Sequence, residues 1–334
     1  MDKPPHSAVV ATEHGLPLDS SSSSTRPPYE LLPIPLSADN YAYALYHRGD
    51  HSVVLVDPAH ADGVMAAVGR AFPDSNDGQS LKVAAILTTH KHHDHSGGNG
   101  ELRQRFGCPV YGGEGEGVPH ATHELGGTVL SPSDTAIPGG WHVKSMITRC
   151  HTRASAMYLV TSPGGPTAEF PPCLFSGDTL FYAGAGMFFE GNAAEMLAIV
   201  RDVSSALNSG LLPSSTILWP GHEYAHANLQ FLAEVVAEPD HSAVLKAELG
   251  AIEARMKAAG TGVRPPFSLR TSLLHQLTIN PFFRADQPAL VAWADRWLAS
   301  SQQVNGKEEE QEDAVKVVAT LRRAKDAWKQ AKKQ

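Results

Sequence analysis

The sequence predicts an α/β sandwich with a mostly helical region behind it. Three observations carry the prediction. From about residue 29 to residue 222, short apolar runs of strand length alternate with Gly-rich turns and a few helical stretches. After residue 222 the apolar residues recur at helical spacing. Several predicted strands end in a histidine or an aspartate, as expected where the carboxyl edge of a sheet carries a site.

Composition sets the bounds. A chain of 334 residues with 42% hydrophobic and 19% charged residues is an ordinary globular protein, long enough for two compact domains. A formal net charge of -8 argues against nucleic acid as a partner, because phosphate binding needs an excess of Lys and Arg. No apolar run is long enough to span a bilayer. The three cysteines, Cys108, Cys150 and Cys173, are odd in number and widely spaced, which suggests a reducing compartment. With no targeting signal recognised, the expectation is a cytoplasmic monomer.

The elements follow in order. Residues 1–28, rich in Ser and Pro, are expected to form a disordered tail. Strands are expected at 52–56, 82–87, 142–148, 156–161, 173–176 and 216–219, and helices at 63–71 and 193–209. Residues 162–172, with four prolines and two glycines, read as a loop between two strands. The domain so outlined runs from 29 to 222, and a helical domain from 223 to 334. Helices in the second half are expected at 228–237, 241–259, 288–299 and 314–332, with Pro288 at a helix start and Gly260 at a helix stop. The polar, acidic stretch 300–313 reads as a solvated linker.

The 17 histidines decide the chemistry. His90, His92, Asp94 and His95 spell H-x-H-x-D-H, a pattern that chance would produce in about two chains per thousand of this length. The box follows an apolar strand and precedes a Gly-Gly turn. His90 and His92 alternate and can face one ion, while Asp94 and His95 can turn towards a second. Imidazole and carboxylate suit zinc, iron or manganese, and no thiolate is placed to demand zinc alone. Four further predicted strands end at Asp57, His151, Asp178 and His222. One such ending is unremarkable, but five in one domain point to a shared centre.

These residues carry a resemblance. The box at His90, the isolated His151, Ser176-Gly177-Asp178-Thr179-Leu180 and Pro220-Gly221-His222-Glu223-Tyr224 resemble the motifs of the metallo-β-lactamase superfamily. The resemblance implies a four-layer αββα sandwich and two divalent metal ions, most simply Zn2+. By the same likeness His90, His92 and His151 hold the first metal, Asp94, His95 and His222 the second, and Asp178 bridges them. Asp57 would orient a ligand histidine from behind.

Finer motifs resemble the glyoxalase II family. Gly177 to Phe181 followed by Gly184 to Gly191 is similar to GDTLF…G-x-G-x-F-[YF]-E-G. Gly221-His222-Glu223-Tyr224 is similar to its G-H-E-Y, residues 278–284 to its N-P-F-x-R element, and residues 321–326 to its R-R-x-K-D. The resemblance implies a glutathione thioester as substrate, with Met187, Phe188, Phe189, His222 and Tyr224 along its site and Arg322 and Lys325 on its glycine carboxylate. Three positions depart from the family. Met187 stands where many members carry Lys, Phe189 where Tyr is frequent, and Ser155 where many have a second histidine. The missing charge at Met187 and the missing hydroxyl at Phe189 would each cost about 1 kcal/mol of binding.

The implied reaction is hydrolysis of S-D-lactoylglutathione, or another S-2-hydroxyacylglutathione, to the 2-hydroxy acid and glutathione by a two-metal bridging hydroxide, with Asp94 and Asp178 as catalytic residues, in methylglyoxal detoxification. The alternatives are another enzyme of the fold, a persulfide dioxygenase or a lactonase, and a weakly active glyoxalase-like binding protein. Metal content separates the first and turnover the second.

Overall fold

The computed structural model of the chain describes residues 27–37, 39–73, 80–237, 242–259, 270–301 and 312–332. Residues 1–26 of the expected tail, Gly260 and residues 302–311 of the expected linker lie outside them.

The first sheet runs β1 (Tyr29–Leu36), β2 (Asn40–His47), β3 (Ser52–Val56), β4 (Lys82–Leu87), β5 (Val110–Gly113) and β6 (His123–Leu125), in that spatial order. β1, β2 and β3 pair antiparallel, and β3 to β6 pair parallel. The run Ser-Val-Val-Leu-Val makes β3 a buried strand because both of its faces are covered. Val53 and Leu55 pack under α1 (Ala61–Ala71), α2 (His93–Ser96) being only a single turn, and under α3 (Asn99–Phe106), while Val54 and Val56 face the second sheet.

The second sheet contains β7 (Ser133–Ile137), β8 (Trp141–Ile147), β9 (Ala156–Thr161) and β10 (Cys173–Gly177). A short hairpin follows, β11 (Leu180–Phe181) and β12 (Gly184–Ala185), and then β13 (Ile217–Pro220) and β14 (Thr271–Ser272) rejoin the sheet in the order β14-β13-β10-β9-β8-β7. Its inner face supplies Trp141, Val143, Tyr158, Val160, Phe175 and Trp219 to the core between the sheets. Its outer face, with Met146, Met157, Leu159, Leu174 and Leu218, packs on α4 (Ala193–Asn208) and the C-terminal helices. α4 starts at a capping box in which Asn192 and Glu195 satisfy each other's main-chain N–H groups. The layers are therefore helix, sheet, sheet, helix.

The C-terminal helices are α5 (Ala225–Phe231), running into a π-helical turn at Leu232–Val236, then α6 (Ser242–Ala259), α7 (Leu273–Ile279), α8 (Pro288–Ser300) and α9 (Asp313–Ala331). Three side chains from this region grip the β11–β12 hairpin. Asn228 donates to the Tyr182 carbonyl at 2.8 Å, Gln276 accepts from the Ala183 N–H at 2.9 Å, and Asn280 donates to the Gly184 carbonyl at 2.9 Å. The helical region is thereby tied to the segment that leads from Asp178 to Met187.

β3, β4 and β9 have the bounds expected from the sequence, while β8 and β13 are displaced by one residue. The β1–β2 hairpin had no strand expectation. Its first strand contains Pro33 and Pro35, which break the strand pattern but are tolerated here because β1 is an edge strand.

Candidate metal centre

Five strand ends meet at one edge of the sandwich. β3 leads to Asp57, β4 to His90 and the α2 turn with Asp94 and His95, β8 to His151, β10 to Asp178 and β13 to His222. Two of the turns are tight. Gly177 has φ +48, and a Cβ there would lie 2.4 Å from Thr89 Oγ1. At Gly221 a Cβ would lie 2.5 Å from Asp178 Oδ1 and 2.7 Å from His95 Cε1, so only glycine lets these ligand-type side chains close over the strand.

The seven residues expected from the sequence fall into three overlapping groups: His90, His92 and His151; His90, His95 and Asp178; and Asp94, His95 and His222. In the first, His92 Nδ1 stands 3.0 Å from His90 Nε2 and 3.2 Å from His151 Nε2. Asp178, of the second group, lies between the first and the third. Its Oδ1 is 3.4 Å from His95 Nε2, and its Oδ2 is 3.5 Å from His151 Nε2 and 3.3 Å from His222 Nε2.

Neighbouring acceptors set the tautomers. The Asp57 carboxylate accepts from the Thr89 N–H and hydroxyl, each at 2.7 Å, and from His95 Nδ1 at 3.0 Å. A carboxylate only accepts, so His95 carries a proton on Nδ1, and Nε2 is the nitrogen left to face a cation. His222 Nδ1 donates to Asp39 at 2.9 Å, His151 Nδ1 to the Met187 carbonyl at 3.0 Å, and His90 Nδ1 to the Thr89 hydroxyl at 3.1 Å. Four imidazoles are thus locked with Nε2 pointing inward. Asn40 steadies Asp94, donating to its Oδ2 at 3.0 Å and to its main-chain oxygen at 3.1 Å.

This donor set fits cations. His95 Nε2 and Asp178 Oδ1 are buried without a hydrogen-bond partner, which costs free energy unless a cation satisfies both. Two donors on one ion at about 2.1 Å in tetrahedral geometry are roughly 3.4 Å apart, the spacing seen here. The electrostatics agree. Burial and the neighbouring His95 hold the His90 imidazole well below its ordinary range, and burial lowers His151. At His222 burial is outweighed by Asp178 and Asp39, which push the imidazole up to about 10. Burial of Asp178 is outweighed by His95 and His222, which hold its carboxyl well below the usual carboxylate range. None of the three groups contains a cysteine, and the Cys150 thiol turns to the Asn192 carbonyl.

The expected substrate residues border the centre on two sides. Phe189, 57% exposed, stands 5.2 Å from the His151 ring and 5.8 Å from the His92 ring, and Met187 is exposed beside it. Phe188 is half-buried against the helical core. On the other side Tyr224 stacks on His222 at 4.8 Å and meets Phe181 edge-on. Arg322 donates to the Ala185 carbonyl at 3.3 Å and pairs with Asp326. Lys325 shares that helix with Arg322 but is only 5% exposed. Its Nζ donates to the Ala227 carbonyl and lies over the Phe231 and Trp328 rings, and burial, helped by Lys329 and Arg322, lowers it to about 6. Ser155, in place of a second histidine, is buried and bonds to the Thr152 hydroxyl.

Three positioning residues had no sequence expectation: Asp39, Asn40 and Thr89. Thr89 adjoins the metal box, but Asp39, on the turn before β2, and Asn40, at the start of that strand, are distant in sequence with no local signal of their role.

Residues 39–222 match the family model of the metallo-beta-lactamase superfamily, and residues 223–328 match that of the hydroxyacylglutathione hydrolase C-terminus. A protein of Nitrosomonas eutropha named hydroxyacylglutathione hydrolase is 33% identical over 270 residues, which span 78% of this chain and 88% of that protein. A Schizosaccharomyces pombe protein named "probable hydroxyacylglutathione hydrolase" is 36% identical over 211 residues, 62% of this chain and 73% of that one. The crystal structure of ETHE1 from Myxococcus xanthus aligns over 89% of this chain and 99% of its own with a TM-score of 0.50 at 20% identity, a likeness of fold alone.

Proposed function

Since this chain belongs to the hydroxyacylglutathione hydrolase family of the metallo-β-lactamase superfamily, we propose that it hydrolyses S-2-hydroxyacylglutathione thioesters, S-D-lactoylglutathione among them, at a centre of two divalent cations. The observation that carries the reading is the junction of the two halves of the chain. Arg322 of α9 reaches the Ala185 carbonyl, two residues before Met187, whose own carbonyl holds His151. A cation suited to a carboxylate thus borders the segment that orients one of the imidazoles.

His90, His92 and His151 would hold one ion, Asp94, His95 and His222 the other, and Asp178, between them, would touch both. Zinc suits these donors, and iron or manganese would also be accepted. When bound, such a pair supplies a water nucleophile ionised near neutral pH and a Lewis acid for the carbonyl oxygen. The chain's own residues do the rest. Asp57, Asp39, the Thr89 hydroxyl and the Met187 carbonyl hold the Nδ1 protons of His95, His222, His90 and His151, so that their Nε2 atoms are the ones turned to the cations. Arg322 binds the far carboxylate of the thiol carrier, with Lys325 behind it, and Tyr224 flanks the path to the centre. The thiolate released has an ordinary pKa of about 8.5, so it departs without a proton donor.

The test is hydrolysis of S-D-lactoylglutathione by the purified, zinc-loaded full chain, followed by loss of thioester absorbance, beside Asp178→Ala. Turnover by the wild type and none by the variant is expected. A wild type that binds two equivalents of metal yet leaves this thioester intact would refute the assignment.

A further inference from the structure

Glu116 and Glu190 bridge the same two loops, one from inside the protein and one from its surface. Glu116, on the turn after β5, is 3% exposed. Its Oε1 accepts from the Lys91 N–H at 3.1 Å and its Oε2 from the Ala154 N–H at 2.8 Å. Glu190 accepts from the Lys91 ammonium at 2.8 Å and from the Arg153 N–H at 2.8 Å. Arg153 in turn donates to the Glu190 carbonyl at 2.9 Å. Lys91 lies between His90 and His92, and Arg153 and Ala154 follow His151.

We propose that Glu116 is a positioning residue, aided by Glu190, which sets the spacing of His90, His92 and His151 and so the affinity of that metal position alone. The inference rests on the metal-centre reading above. His90 and His92 hang from the end of β4 in one sheet, His151 from the end of β8 in the other. Their ligand nitrogens stand 3.0 and 3.2 Å apart around His92 Nδ1, so a small shear between the loops would spoil the triad. Strand pairing does not prevent such a shear, because the two ends belong to different sheets. One main-chain bond crosses nearby, from the Ala156 N–H to the Thr89 carbonyl at 2.8 Å, but it lies before His90 and after Ala154. Glu116 and Glu190 span the segments that carry the imidazoles themselves. Asp94, His95 and His222 have separate supports in Asn40, Asp57 and Asp39 and touch neither glutamate.

Glu116→Gln tests this with little change of shape. Both partners are N–H donors, and an amide can accept from only one of them, so the other meets an NH2 group. Metal-free full-length protein is titrated with Co2+, reading the visible spectrum and the bound metal after dialysis. The wild type is expected to take two equivalents. E116Q is expected to keep one within threefold of wild-type affinity and to lose roughly ten- to hundredfold on the other. Glu190→Gln should weaken the same equivalent by a smaller factor, and it keeps the proposal testable should E116Q not fold. Unchanged affinities in E116Q, or in E190Q where E116Q does not fold, would overturn the proposal, as would both equivalents weakening together, the mark of a merely structural role. A wild type that binds no metal would sink the metal-centre reading itself.

Discussion

Replacing Asp57 by asparagine tests how this chain aims a ligand. Asp57 is 2% exposed and its φ is +49, a backbone conformation that Asn adopts as readily as Asp, so the exchange leaves the turn intact. The wild-type Oδ2 accepts two hydrogen bonds, from the Thr89 hydroxyl at 2.7 Å and from His95 Nδ1 at 3.0 Å, while Oδ1 accepts from the Thr89 N–H. In the variant one oxygen becomes an NH2 group. If Oδ1 keeps the Thr89 N–H, the NH2 faces His95 Nδ1 and forces its proton onto Nε2, the atom that must face a cation. If the amide flips, the NH2 meets the Thr89 N–H instead. The first orientation loses two bonds to a charged acceptor and the flipped one loses one, each worth about 1.5–3 kcal/mol, so the metal-free protein should lose at least about 1.5 kcal/mol of its stability. Loss of a partner behind a ligand histidine lowers metal affinity about 10- to 100-fold, or roughly 1.4–2.8 kcal/mol. The assay is competition for zinc between the metal-free protein and a chromophoric chelator, with urea unfolding alongside. If D57N binds both equivalents at wild-type affinity, tautomer control by Asp57 is wrong.

Other changes address the remaining parts. Arg322→Ala should raise KM for the glutathione thioester about 10- to 100-fold with kcat changed by no more than a few-fold; a fall in kcat at constant KM would move Arg322 out of substrate binding. Gly221→Ala puts a Cβ 2.5 Å from Asp178 Oδ1, so metal content by atomic emission should drop below two per chain while circular dichroism stays that of the wild type. Lys325→Met addresses a lysine held at about 6 in the folded chain against an ordinary 10.5. Between those values the unfolded chain carries a proton that the folded chain lacks, so stability should rise with pH by up to about 1.4 kcal/mol per unit. K325M should flatten that rise in urea unfolding at pH 7 and pH 9, and an equal slope in both proteins would show that Lys325 keeps its proton when buried.

What the sequence makes legible divides along a physical line. A residue that would touch the metal must be of ligand type and must stand where a strand delivers it, and both properties are local. Val53 to Val56 before Asp57 and Ala84 to Leu87 before His90 therefore mark two of the five converging ends from local pattern alone. Burial of a helix face is less local. The spacing of Arg322 and Lys325 puts them on one side of α9, but the rings that Lys325 lies against are Phe231, from another helix, and Trp328. Spacing gives the face and not the depth, so two cations that look equivalent in sequence differ in reach. The residues that aim the ligands are the least legible. Asp39 lies 183 positions from His222, and Glu116 lies 38 positions from Ala154. At each of these places an acid on a turn has the same local pattern as a solvated one. Only the packing of one sheet on the other turns Glu116 into a buried acceptor for two main-chain donors. Ligands are thus specified by residue type at strand ends, and their aim by tertiary packing that leaves no periodic trace.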